Sequence, residues 1–285
     1  MMFVNKLFNG KSLLIILLLI ALVAPFTFLK PIKSVVKLPV KIPEIPVEVI
    51  PKVVIEKPLH QVAIPDFANI KSVKEKKRRF FNFIQPAVAK ENQRILLLRQ
   101  KVQLMVNNLS LELALSSEEL ITFNQLVKQY KVNKKYSQLQ QAHELLKRID
   151  IIPEALVLVQ AANESAWGTS RFARIGLNFF GLWCYKQGCG MVPNGRVVGA
   201  KHEVAAFNSL DEGVHKYLHN INTNYAYEVF RSIRAQLRAQ NQPLSPQILA
   251  TGLLKYSERG ADYVLELTQM IRHNRAYLQL DMKEQ

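Results

Sequence analysis

The sequence predicts a mainly helical fold that carries one small β-hairpin and is preceded by an apolar N-terminal segment and a proline-rich linker. Two observations predict this class. Apolar residues recur at three- and four-residue spacing over most of the chain beyond residue 92, which is the period of an amphipathic helix. Residues 188–207 lack that period and hold an Asn-Gly pair between apolar residues, a strong hairpin signal.

The first 29 residues have the pattern of an export signal or a membrane anchor. Residues 1–11 contain Lys6 and Lys11 and would form a cytoplasmic n-region, while residues 12–29 are apolar and carry no charge. Because Pro25 directly follows a small residue, it makes a poor cleavage site, and we expect an uncleaved anchor rather than a cleaved signal. The sequence therefore predicts an envelope protein, periplasmic and tethered to the inner membrane. A buried core helix is the alternative.

Residues 30–80 predict an extended, basic linker. Residues 31–65 hold 7 of the 13 prolines and no glycine, and residues 30–80 carry a net charge of +7 out of the chain's +16. No helix-turn-helix, zinc-finger or ribonucleoprotein pattern accompanies the basic cluster at residues 74–79. We therefore expect attraction to anionic lipid headgroups or wall polymers, or simple solubility, and no nucleic-acid partner.

Beyond the linker, the chain predicts a helical region over residues 81–150 and a further domain over residues 151–285. Capping boxes begin at Ser116 and Ser209, and Ser245 precedes a proline that suits a first helical position. Helices are expected over residues 93–115, 118–130, 138–149, 153–167, 210–222, 246–256 and 261–273.

Glu164 is the residue that most needs an explanation, because it is a carboxylate in the last turn of an apolar helix. We expect this helix to run from about Pro153 to Trp167, with Gly168 as its stop signal. The negative end of the helix dipole and nearby apolar surface both favour the protonated form of a carboxylate. The sequence thus predicts a general acid at Glu164.

Cys184 and Cys189 are the only cysteines, and they lie five residues apart just before the hairpin. In an exported protein a disulfide is favoured over a metal site, since no second cysteine pair completes a zinc set; free thiols are the alternative. His215 and His219 have the i, i+4 spacing of zinc ligands, but Lys216 stands where a zinc protease carries Glu. We therefore expect neither a metal nor a cofactor.

The residues around Glu164 resemble a known family. The segments 164–170 (ESAWGTS) and 178–182 (NFFGL) are similar to the Glu-Ser-x-Trp-Gly-x-Ser and Asn-x-Phe-Gly-Ile signatures of bacterial N-acetylglucosaminidases of glycoside hydrolase family 73. The resemblance covers about residues 153–278. It implies a lysozyme-like α+β catalytic domain that cuts β-1,4 bonds between the amino sugars of peptidoglycan, with Glu164 as the general acid.

Two features depart from the family pattern. Relatives often place a second acid in the hairpin, where this chain has residues 191–195 (MVPNG), and the nearest carboxylate is Glu203. The family's late Tyr-Ala-Thr-Asp motif begins here with Tyr256, but its tail does not match. The resemblance implies that Tyr256 contacts the substrate near the scissile bond. The second catalytic group is then either Glu203 as a general base or the substrate's own 2-acetamido oxygen, oriented by Tyr256.

Aromatic side chains near Glu164 could stack on sugar rings. Trp183 and Tyr185 are the better candidates, because they flank a cysteine in an irregular segment. The substrate-binding candidates are Trp167, Asn178, Phe180, Trp183 and Tyr185.

Three functions remain open at this point. The first is a glycan-cleaving hydrolase of the cell wall, as the resemblance implies. The second is a lytic transglycosylase, which closes an anhydro ring instead of admitting water. The third is a non-catalytic envelope protein that binds glycan or a protein partner through the same groove, and the missing hairpin acid is its main support.

Overall fold

The computed structural model describes residues 56–196, 199 and 201–278. The predicted apolar segment and most of the predicted linker lie outside these residues, so the anchor and the tether stay predictions. In the described part of the chain, no helix combines the length and the apolar character needed to cross a membrane.

The described residues are mainly helical and include a small sheet, which confirms the α+β class. Three 3-10 turns, Tyr225–Tyr227, Thr251–Leu253 and Arg275–Tyr277, supplement the helices. The described helices are α1 (Val73–Ser110), α2 (Ser117–Gln129), α3 (Gln138–Arg148), α4 (Glu154–Glu164), α5 (Arg171–Gly176), α6 (Leu210–Thr223), α7 (Glu228–Ala239), α8 (Pro246–Ala250) and α9 (Ala261–His273).

The sheet comes between α5 and α6 in the chain order. It has three strands, β1 (Trp183–Cys184), β2 (Gly190–Met191) and β3 (Glu203–Ala205). Its order is β1-β3-β2, and both pairs are antiparallel, so Val204 lies opposite both Trp183 and Met191. The predicted hairpin is confirmed, because β2 and β3 are consecutive and antiparallel. It differs from the prediction in two ways: β1 pairs with the other edge of β3, and the Asn-Gly pair lies in the long connection between β2 and β3 rather than in a two-residue turn.

Helix α1 begins at Val73, well before the expected start at residue 93, so residues 73–80 of the predicted linker are helical. Pro86 lies inside this helix and did not end it. The buried residues Phe80, Ile84 and Val88 recur every four positions and explain why the segment is helical, since this face packs into the core.

The helix start signals are mostly confirmed. Ser116 and Glu119 form a reciprocal capping box at α2, as expected. At α6 only half of the expected box forms, because Ser209 accepts the N–H of Glu212 while the Glu212 carboxylate accepts the N–H of Asn208 instead. The helix that opens at residue 246 is shorter than expected, since the backbone tightens into a 3-10 turn after Ala250.

Helix α4 is the buried centre of the fold. Its residues 155–162 are all buried, and the helix packs against α1, α8 and α9 within one continuous apolar core. A helix covered on every side is held in one orientation by its packing. Its last residue, Glu164, is therefore presented at a fixed position on the edge of the core.

Candidate active site

Helix α4 ends at Glu164, three residues earlier than the sequence predicts, because the backbone turns left-handed. Ala166, Trp167 and Gly168 have φ values of +50°, +58° and +78°. Two non-glycine residues in this region are uncommon and must be held by their surroundings. The expected end at Trp167 is thus corrected, and Glu164 lies in the last position of the helix.

Ser165 holds this corner together. Its buried hydroxyl donates to the carbonyl of Ala161 at 2.6 Å and accepts the N–H of Gly168 at 2.9 Å. A Cβ at Gly168 would lie 2.4 Å from a ring atom of Phe67, so only glycine fits there. The serine and glycine of the signature therefore shape the corner that follows Glu164.

Trp167 packs away from the cleft that contains Glu164. Its ring lies 5.5 Å from Phe80 and 5.3 Å from Phe81, edge to face, and the ammonium of Lys77 lies 5.4 Å from it. The side chain thus packs the corner onto α1 and does not line the cleft, and its expected sugar-binding role stays a prediction.

Glu164 opens into a cleft of about 740 Å³. We call the segment from Phe180 to Tyr185, with the residues at and after β3, the first wall of the cleft, and α6 with Lys131, just after α2, the second wall. Tyr256 also lines the cleft, so the structure brings it together with Glu164.

Asn178 shapes the first wall from inside. It is buried, its amide nitrogen donates to the carbonyls of Leu182 and Ala205, and its amide oxygen accepts the N–H groups of Phe180 and Leu182. Asn178 does not line the cleft, and its expected role in sugar binding stays a prediction. It fixes the loop that carries Gly181.

Gly181 lies beside the second oxygen of Glu164. Its φ is +64°, and a Cβ at this position would lie 3.7 Å from Oε2 of Glu164. Glycine thus permits the left-handed turn and leaves the space next to that oxygen open. This explains why the phenylalanine-glycine pair follows Asn178.

The other aromatic candidates line the cleft with different exposure. Phe180 is buried and stacks on Tyr217 at 4.1 Å, whereas Trp183 and Tyr185 are 49% and 82% exposed. The predicted disulfide between Cys184 and Cys189 is present. Cys184 lies between the two exposed aromatics in the chain, and Cys189 directly precedes β2. Because both sulfurs are joined, neither is a thiolate ligand for a metal ion.

Glu164 has a neutral hydrogen-bond partner. The hydroxyl of Tyr263 donates to Oε1 at 2.9 Å, and no Lys, Arg or His of the described residues forms an ion pair with the carboxylate. Burial raises the pKa of Glu164, and the hydrogen bond from Tyr263 opposes this rise only in part. The predicted direction of the pKa shift is confirmed, with burial as its main cause.

A buried amide stands behind this contact. The side-chain nitrogen of Gln160 donates to the hydroxyl of Tyr263 at 3.0 Å, and the hydroxyl of Tyr217 donates to the oxygen of Gln160. Gln160 is fully buried on α4, one turn before Glu164. The sequence analysis missed Gln160 and Tyr263, although a glutamine inside an apolar helix signals a buried polar partner.

Tyr256 holds the wall and packs on this network. Its hydroxyl donates to the carbonyl of Phe180 at 2.8 Å, and its ring stacks on Tyr263 with centroids 5.4 Å apart. The ring therefore forms a fixed surface of the cleft beside the Tyr263 that contacts Glu164.

Glu203 is not brought together with Glu164. It is buried in β3, and its carboxylate accepts the N–H groups of Gly188 at 3.0 Å and Gly190 at 2.9 Å. The first of these bonds makes the largest contribution to lowering its pKa. Glu203 does not line the cleft, and these bonds hold its carboxylate within the sheet; its role as a base stays a prediction.

Comparison with known proteins adds two findings. Residues 139–276 match the glucosaminidase family, described as mannosyl-glycoprotein endo-β-N-acetylglucosaminidase. The chain is 32% identical over 223 residues to Protein bax of Escherichia coli (strain K12), and the match covers 77% of each chain. No solved structure matches the chain significantly. The family match includes Glu164, Tyr256 and Tyr263.

Proposed function

Since this chain belongs to the endo-β-N-acetylglucosaminidase family, as a relative of Protein bax, we propose that it hydrolyses β-1,4 bonds of the peptidoglycan glycan. The observation that carries the proposal is Glu164, a half-buried carboxylate with a raised pKa in an open cleft. A glycosidase needs such a protonated acid to donate to the leaving oxygen.

Glu164 acts as the general acid in this proposal. Its pKa is raised, so its carboxyl group keeps a proton at higher pH than an exposed glutamate does. Oε2 faces the open space beside Gly181, and the proton passes from Glu164 to the glycosidic oxygen as the bond to the anomeric carbon breaks. Tyr263 and Gln160 hold the other oxygen in place.

The second group in this proposal comes from the substrate. Among the described residues that line the cleft, the carboxylates are Glu164 and Glu212, and Glu212 accepts the N–H of Asn208 at 3.0 Å. The 2-acetamido oxygen of the sugar would attack the anomeric carbon, and water would then open the ring that forms and return a proton to Glu164. Tyr256 would orient the acetamido group.

Further parts of the proposal concern sugar contacts and location. Trp183 and Tyr185 line the cleft with exposed rings, which is what stacking on a sugar needs. The disulfide between Cys184 and Cys189 supports folding in an oxidising compartment. We therefore keep the periplasmic side of the cell envelope as the proposed location, with a membrane tether ahead of the described residues.

Product analysis tests the proposal. Purified full-length protein is incubated with isolated cell walls, the products are reduced with borohydride, and mass spectrometry identifies the reducing ends. We expect reduced N-acetylglucosamine at the new ends. Reduced N-acetylmuramic acid would contradict the bond assignment, an anhydro end would indicate a transglycosylase, and no product would favour a non-catalytic glycan-binding protein.

A further inference from the structure

The cleft has a cationic end that the proposed chemistry does not use. Lys131 and Lys216 both line it, both are exposed, and neither forms an ion pair with any described residue. By contrast, the ammonium of Lys90 forms an ion pair of 2.5 Å with the carboxylate of Asp211 on α6. Neither ammonium of the two cleft lysines is therefore taken up in an ion pair with a described residue.

The backbone fixes where these lysines lie. Lys131 follows α2 with a left-handed φ of +54°, and the N–H of Val132 donates to the carbonyl of Val127 across the helix end. Lys216 stands on α6, whose adjacent residues Tyr217 and Leu218 are fully buried. Both stems therefore start from rigid points on the same wall.

The nearby acids are already engaged. Although burial opposes it, hydrogen bonds from Arg94 and His215 lower the pKa of Glu91 to about 2, and its carboxylate contacts both partners within 2.9 Å. Glu212 lies one turn before Lys216 in the cleft, but its carboxylate accepts the N–H of Asn208. Neither acid forms an ion pair with the two lysines.

His219 lies in the same part of the cleft and adds no charge at neutral pH. Burial first, and then the charges of His215, Lys131 and Lys216, lower its pKa to about 4. The positive charge at this end therefore resides on Lys131 and Lys216. An ammonium acts as a point charge that binds a carboxylate without a fixed geometry.

We infer that Lys131 and Lys216 bind a carboxylate of the glycan strand while the sugar backbone lies in the cleft beside Glu164. This inference rests on the proposed function. Peptidoglycan supplies carboxylates from two sources, the lactyl group of muramic acid when no peptide is attached and the free carboxyl groups of the stem peptide when one is. A neutral N-acetylglucosamine oligomer has neither.

The test measures binding in the Glu164→Gln background, so that turnover does not interfere, and in parallel measures KM with active enzyme. The ligands are glycan strands with stem peptides, strands stripped of peptide, and neutral N-acetylglucosamine oligomers. The test variant is Lys131→Gln with Lys216→Gln. The matched control is Lys128→Gln with Lys134→Gln. These two substitutions lower the net charge by the same amount, but both lysines are exposed and neither lines the cleft.

We expect the test variant to weaken binding of a carboxylate-bearing strand about tenfold, since an exposed ion pair is worth up to roughly fivefold for each lysine. Binding of the neutral oligomer should not change, and added salt should remove the difference. A larger effect on peptide-bearing strands would identify the stem peptide as the source, and a larger effect on stripped strands would identify the lactyl group.

Two results would overturn the inference: equal weakening for the neutral oligomer and the acidic strands, or no greater effect than in the control variant. A different measurement would show that the proposed function is wrong. If the active enzyme cleaves none of the three substrates, hydrolysis is refuted, while the binding measurements in the inactive background still decide the role of the lysines.

Discussion

Two carboxylates at opposite ends of α4, the buried Asp150 and the half-buried Glu164, differ in almost every contact. Asp150 precedes α4 and is 2% exposed; Arg238 binds it with two hydrogen bonds of 2.9 and 3.1 Å, and Arg99 and Arg234 lie within 4.0 Å. Glu164 ends α4 and receives one hydrogen bond, from the hydroxyl of Tyr263. The first is bound by cations, and the second by the hydroxyl of a neutral tyrosine.

The pKa values of the two carboxyl groups move in opposite directions. Burial raises the pKa of both, but the Arg238 hydrogen bonds and the charges of Arg234 and Arg99 reverse the effect at Asp150, whose pKa is lowered. At Glu164 burial prevails. The helix dipole adds to the effect at Glu164, because the negative end of α4 favours a neutral acid there. The partners of a buried acid, rather than burial itself, decide whether it stabilises the fold or holds a proton.

The largest expected effect is the loss of activity in Glu164→Gln. The amide has nearly the same shape but no transferable proton, so we expect the cell-wall-cleaving rate to fall by about a hundred- to ten-thousand-fold. The rate is measured as release of soluble glycan fragments from purified walls.

Glu118→Gln, an exposed acid in the first turn of α2, is the matched control and should retain full activity. The melting temperature of Glu164→Gln should equal or exceed that of the wild type at pH 7, because the substitution removes a half-buried group that resists ionisation. A rate loss below tenfold would exclude Glu164 as the acid.

The next effect is on stability, in Asp150→Asn. Removing one partner of a buried charged cluster costs about 3 to 5 kcal/mol, since the fully buried Arg234 and its neighbours then lack their counter-charge. The free energy of unfolding is measured by denaturant titration at pH 7. Asp66→Asn, at an exposed carboxylate, is the control and should change it little; an equal loss in both would contradict the comparison.

The pH dependence of the two variants should have opposite signs. The folded pKa of Asp150 is lowered from 3.8, so its stabilisation is present above that value and is lost as the pH falls through the folded pKa. The folded pKa of Glu164 is raised from 4.5, so the fold loses stability as the pH rises from that value through the folded pKa. The stability that Asp150→Asn lacks relative to the wild type should therefore shrink on acidification. The stability that Glu164→Gln gains relative to the wild type should disappear at acidic pH. Melting temperatures between about pH 2 and 8 check both.

The smallest effect is expected for Tyr263→Phe. The hydroxyl lowers the pKa of Glu164, so its removal should move the alkaline limb of the pH–rate profile upward, while kcat falls about tenfold through looser positioning. Tyr225→Phe, at a tyrosine that is 83% exposed, is the control. An unshifted alkaline limb would show that Tyr263 only packs.

The sequence was sufficient to single out Glu164 but not to predict its surroundings. Glu164 stands out because a carboxylate at the end of an apolar helix is unusual. The side chains of three residues in or near the motif hold the backbone around the cleft in place: Trp167, Asn178 and Glu203. A sequence pattern does not distinguish this role from contact with substrate. Tyr263 lies in another helix, so only the packing of α9 against α4 brings it to Glu164.

The part of the chain that matches the family is shorter than the part that packs around Glu164. The family match begins at residue 139, yet the corner behind Glu164 rests on Phe67, Phe80 and Phe81, which all precede it. A gene fragment trimmed to the match would lack these rings and leave their partners in the core facing water. An expression fragment designed for crystals or assays should therefore start ahead of Phe67.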